Sequence, residues 1–134
     1  MDIARYVGIP YRPGGRALDG VDCYGLIWVF YHEELKIDLP LYAGDPDFAE
    51  LKELSRIIHE REVYQPEWVE VAREDARLGD VVDLSIMGGF HVGIFVPPHK
   101  MLHAMLKTAS CIDDVDRPKW KRRIRGLYRR RSGR

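Results

Sequence analysis

The feature that most restricts the fold is a change of hydrophobic period partway along the chain. Residues 81–86 (VVDLSI) and 90–96 (FHVGIFV) are rich in Val, Ile and Phe and are separated by Met87-Gly88-Gly89. Runs of that kind around a glycine pair read as two strands and a hairpin turn. Upstream the spacing is helical. Asp22 is placed to cap a helix, and Leu26, Val29, Phe30 and Leu35 follow it at helical intervals, which predicts a helix from Cys23 to Lys36. The segment DLPLYAGDP ends that helix. A second helix is expected after Asp47, with Glu50 as capping-box partner and a buried stripe of Phe48, Leu51, Leu54, Ile57 and Ile58. Further strands are expected in EWVEVA, MLHAML and RGLYRR. Helices followed by antiparallel strands make an α+β domain, and 134 residues make one domain.

Charge excludes some classes of function. From Arg117 onward there are ten Lys or Arg and no acid, which leaves eleven bases against 21 acids before it. A basic end on an acidic body is expected to lie on that body or in solvent rather than to bind nucleic acid. Docking on an anionic partner is the alternative. The expected boundary puts the domain at residues 1–128 and a disordered basic tail at 129–134. No window reaches the ~18 apolar residues of a membrane span. The N-terminus, MDIARYVGIP, has too short an apolar part for a secretory signal. A protein made in the cytoplasm is therefore expected, and if it leaves the cell it does so without a visible address.

Chemistry concentrates on three residues. Cys23 sits at the start of the first helix, where unpaired N–H groups and the helix dipole favour a thiolate and can hold an oxyanion. His91 and His103 lie on neighbouring strands, and an odd-length turn through VPPHK is expected to set them directly opposite, with rings in hydrogen-bond reach. Gly93 leaves room beside His91, here expected for the helix that carries Cys23. These residues could serve as nucleophile, base and orienter. Other readings remain open: Cys23 as inert packing, a Cys23–Cys111 disulfide, or zinc held by Cys23, His91 and His103. His32, His59 and His99 fit the catalytic arrangement less well.

In order along the chain, YRPGGRALDGVDCYGL, LGDVVDL, HVGIFV and LHA resemble the NlpC-type cysteine peptidases. The likeness runs from Tyr6 to Tyr128 and implies a compact papain-like fold, with the nucleophile at a helix N-terminus packed on an antiparallel β-meander. It implies Cys23 as nucleophile, His91 as base, His103 as orienter and the Tyr11 hydroxyl as an oxyanion contributor. Asp22 is implied to line the substrate cleft besides capping, and Tyr24 to stand at its mouth. The implied activity is hydrolysis of peptide bonds in peptidoglycan stem peptides through a thioester, with no cofactor and no metal. Tyr24 directly after the cysteine and the ending from Trp120 to Arg129 resemble versions found in tailed-phage tail assembly proteins. Phage tail proteins are thus possible partners. The alternatives are a tail component that has lost the chemistry, and an amidase or protein-processing peptidase with the same triad.

Overall fold

The computed structural model describes residues 2–39, 68–86, 89–105 and 107–131. The expected second helix, with Glu50, and Met87-Gly88 of the expected turn lie outside the described residues.

The first helix, α1 (Cys23–Phe30), continues into a wider π-helical turn over Tyr31–Leu35 and ends at Lys36, whose φ of 59° closes it in the left-handed region. Its sequence, CYGLIWVF, is apolar on every side, and seven of its eight residues are buried. Its environment follows from that: α1 is a central rod rather than an amphipathic surface helix. Trp28, half-buried, donates its indole N–H to the Leu39 carbonyl at 2.8 Å. The Tyr31 hydroxyl donates to the Gly79 carbonyl at 2.6 Å, tying the π turn to the loop that leads into Val81.

Ahead of α1 a two-stranded ribbon pairs β1 (Arg16–Ala17) with β2 (Gly20–Val21). The main sheet contains β3 (Trp68–Val71), β4 (Val81–Ile86), β5 (Gly89–Val96), β6 (Lys100–His103), β7 (Cys111–Asp114) and β8 (Ile124–Arg130), in the order β3-β8-β4-β5-β6-β7. All its pairs are antiparallel. β4, β5 and β6 run as the expected meander and β7, which was not expected, continues it, but the last strand enters between β3 and β4. A four-residue helix, α2 (Pro118–Lys121), precedes β8 and has proline at its start, where a missing N–H costs nothing.

Alternation along the strands divides the core in two. Val81, Val92, Ile94, Leu102 and Tyr128 pack with α1. Val82, Leu84, Phe95, Met101 and Leu127 pack with Val115 and Trp120.

The basic end belongs to the fold, which moves the expected boundary. Arg129 and Arg130 are in β8 rather than in a tail. Arg129 grips the buried Asp80 with two nitrogens, at 2.9 and 2.8 Å, and Arg125 reaches the buried Asp83 at 3.2 Å. The carboxylates are buried while the guanidinium groups reach solvent, so each arginine offsets part of the cost of burying its aspartate. The uneven charge of the sequence is thus partly cancelled inside the molecule.

Candidate active site

The start of α1 is built from the glycine-rich segment before it. Arg12 N–H donates to the Val21 carbonyl at 2.9 Å and Val21 N–H to Pro10 at 3.1 Å, folding the segment back on itself. Gly15 and Gly25 come so close that a Cβ on Gly25 would lie 2.0 Å from the Gly15 carbonyl oxygen. Only glycine fits there. Asp22 ties the parts together. Its Oδ1 accepts from Gly25 N–H at 2.7 Å and from Arg16 Nη1 at 3.0 Å, and its Oδ2 accepts from Gly14 N–H at 2.8 Å. Capping by Asp22 is therefore observed, and with both oxygens engaged and the residue buried, its carboxylate serves the loop rather than an open cleft.

Tyr24 departs from expectation. Its ring is 1% exposed, within the core, with the Arg16 guanidinium carbon 5.2 Å from the ring centre. It lines no mouth. Tyr11 is half-buried and bridges Val21 in parallel, two residues ahead of Cys23. Cys23 and Cys111 are free thiols, so the possible disulfide is absent. Cys23 is the first residue of α1, nearly buried, in the same core cluster as Val92, the neighbour of His91.

The two histidines meet, but not as directly opposed residues. A three-residue turn sets Val96 against Lys100, so Gly93 faces His103 and His91 lies two positions farther along β5. The odd turn length keeps both on one face, and the rings meet on the diagonal, His91 Nε2 to His103 Nδ1 at 2.8 Å. Gly93 makes room for His103 rather than for α1, since a Cβ there would lie 3.2 Å from the His103 Cβ.

A third group continues the chain. His103 Nε2 is 2.8 Å from Asp113 Oδ2 on β7. Trp120 from α2 stands edge-on to the His103 ring at 5.0 Å between centres and helps seal it from water. Burial pushes His91 down to about 3, with His103 adding to the effect. Burial also lowers His103, against the opposing pull of Asp113. Both rings therefore rest neutral, and their tautomers follow from their partners. A carboxylate accepts only, so His103 carries its proton on Nε2. Its bare Nδ1 must then accept from His91 Nε2–H. His91 is left with a bare Nδ1, a proton acceptor.

Asp113 was not singled out by sequence reasoning, nor was Cys111 as its neighbour. The only signal was their i, i+2 spacing in the short run CIDD. Cys111 Sγ lies 3.9 Å from His103 Nε2 and 3.7 Å from Asp113 Oδ2, so these three residues could together hold a metal ion. His99, Asp114 and Asp116 form a second, more exposed group of possible ligands.

The sequence model of the NlpC/P60 family matches residues 8–129. The chain belongs to the NlpC/P60 family. Among curated relatives, this family member is 27% identical over 123 residues to the Murein DD-endopeptidase MepS/Murein LD-carboxypeptidase of Escherichia coli K12, covering 90% of this chain and 55% of that protein. It is 27% identical over 120 residues to a probable endopeptidase of Haemophilus influenzae, covering 87% and 63%. The chain thus spans little more than half the length of these relatives. Solved structures agree in fold. The NlpC/p60 domain of the peptidoglycan hydrolase SagA superposes with a TM-score of 0.61 at 20% identity, over 94% of this chain and 91% of that one. An NLP/P60-family lipoprotein-like structure from Staphylococcus aureus gives 0.64 at 23% identity, over 95% and 38%. The expected α+β, papain-like architecture is the observed one.

Proposed function

We propose that this NlpC/P60 domain is a cysteine peptidase that hydrolyses peptide bonds in peptidoglycan stem peptides, with Cys23 as nucleophile, His91 as base and His103 as orienter. The observation that carries the reading is the relay from Asp113 through His103 to His91, which leaves Nδ1 of a buried, neutral imidazole as acceptor. The names of its relatives, murein endopeptidases among them, supply the substrate class.

In the mechanism, the Cys23 thiol gives its proton to His91 Nδ1 and attacks the scissile carbonyl carbon. The ring, now protonated on both nitrogens, remains compatible with the bare Nδ1 of His103. Backbone N–H groups at the start of α1 and the Tyr11 hydroxyl hold the oxyanion. His91 then protonates the leaving amine, the thioester forms, and a water deprotonated by His91 hydrolyses it. Asp22 contributes by fixing the loop and helix that present the thiol, and Tyr24 by packing beneath Arg16.

The test is release of new amino termini from purified murein. Cys23→Ala should reduce it by at least about 10³-fold, since the thioester path is removed. Equal rates for the variant and the parent chain would end the proposal.

A finer reading, a version associated with phage tails, rests on Tyr24 after the nucleophile and on the Trp120-to-Arg129 ending. Its inactive form, a tail component without chemistry, is separated by iodoacetamide. Alkylation of Cys23 clearly faster than Cys111 at neutral pH marks an activated thiol, and equal slow labelling marks the structural protein.

A further inference from the structure

The β6–β7 pair gathers three side chains whose chemistry exceeds the orientation of an imidazole. His103 and Cys111 are direct partners in the register, and Asp113 is two residues along β7, so all three project from one face. Their ligand atoms are already close: His103 Nε2 to Asp113 Oδ2 2.8 Å, Cys111 Sγ to His103 Nε2 3.9 Å, and Sγ to Oδ2 3.7 Å. Tetrahedral zinc spaces such atoms about 3.3 to 3.6 Å apart, given its usual bond lengths to sulfur, nitrogen and oxygen. Each separation need change by only about half an ångström or less. A thiolate with an imidazole and one carboxylate suits zinc and suits magnesium or calcium poorly. His103 is buried, while Cys111 and Asp113 are half-exposed, which gives an ion a path from solvent and a fourth position for water. Lys119 on α2 is the cation facing this cluster, and it acts against ion binding.

We propose that His103, Cys111 and Asp113 form a zinc site, and that zinc bound there switches the relay off by reversing its tautomers.

A metal on His103 Nε2 takes the lone pair of that nitrogen, so the ring's proton must sit on Nδ1. Nδ1–H then donates to His91 Nε2, which has to be bare. The His91 Nε2 proton passes to His103 Nδ1, and His91 takes up a proton on Nδ1, the nitrogen that serves as base in the metal-free enzyme. That nitrogen can no longer take a thiol's proton. The protons balance: the Cys111 thiol proton and the His103 Nε2 proton leave, one proton is taken up at His91 Nδ1, and each ring stays neutral. One proton is released per ion. The inhibitory half of this proposal rests on the peptidase reading, and the binding half does not.

The test begins without substrate. Cobalt(II), a spectroscopic stand-in for zinc, is titrated into full-length Cys23→Ala, which lacks the competing thiol. One equivalent should bind with a thiolate-to-cobalt charge-transfer band, and added zinc should displace it. The band should vanish in Cys23→Ala/Cys111→Ser and need more cobalt in Cys23→Ala/Asp113→Asn. A missing band in Cys23→Ala, or a band that survives Cys111→Ser, overturns the site. Zinc should then depress murein hydrolysis by the parent chain, reversibly with a chelator, while Cys111→Ser, measured against its own zinc-free rate, stays insensitive. Binding without inhibition, or inhibition of Cys111→Ser at the same zinc concentration, overturns the switch. A parent chain that never cuts murein defeats the peptidase reading instead, and leaves the cobalt result standing.

Discussion

Two histidine–aspartate pairs hang on the same short stretch of sheet. His103 meets Asp113 at 2.8 Å, and His99, in the turn before β6, meets Asp114 at 3.2 Å. The carboxylates are almost equally exposed, 37% and 34% at the side chain, but the imidazoles are not, 0% for His103 and 41% for His99. The pair alone is therefore not what makes a relay. Burial of the ring does, because it removes water as a competing partner and leaves each nitrogen only the neighbour the fold provides. His103 has a second imidazole on one side and Trp120 across its edge, whereas His99 faces water. An exposed pair like His99–Asp114 contributes little.

Substitutions can break or sharpen this contrast. The largest effect is expected from His103→Ala, which removes both the acceptor for His91 and the link to Asp113. Its kcat/KM on murein peptides should fall by about 10² to 10⁴, the usual value of a positioned proton-transfer system. Asp113→Asn comes next. An amide can either accept from His103 Nε2 or donate to it, so the tautomer is no longer imposed, and kcat should fall about tenfold with KM little changed. Asp22→Ala tests the other region of the site. It removes a cap and two further ties, and urea unfolding should show a loss of about 2 kcal/mol. His99→Ala should be smallest, within about 0.5 kcal/mol in stability and without effect on hydrolysis. If His99→Ala costs as much activity as Asp113→Asn, burial is not the deciding variable.

Sequence patterning revealed the strands that carry the histidines, because Val and Ile alternation in β4 and β5 is strong. It also gave the parity of His91 and His103, which depends only on odd turn length. It did not give their register, because that is fixed by where the three-residue turn begins. β7 was invisible for a physical reason: CIDD has no buried alternating face, and only pairing with β6 makes it a strand. With β7 unseen, Asp113 and Cys111 could not be placed beside His103. Tyr24 was placed at the mouth because it directly follows the nucleophile in the motif, while an almost wholly buried apolar helix draws even its tyrosine inward. The start of α1 was legible since a capping aspartate and close-packed glycines are local features. Their cross-links through Arg16 were not.

The position of β8 has a consequence for synthesis. The last described strand of the chain lies between β3 and β4, and among the described residues it is the only partner of β3 in the sheet. While the chain is still emerging from a ribosome, β3 lacks its described partner and β4 lacks its neighbour on the β8 side. The sheet closes only after residues 124–130 have been made, so Asp80 and Asp83 wait for their arginines until translation of this segment is nearly over.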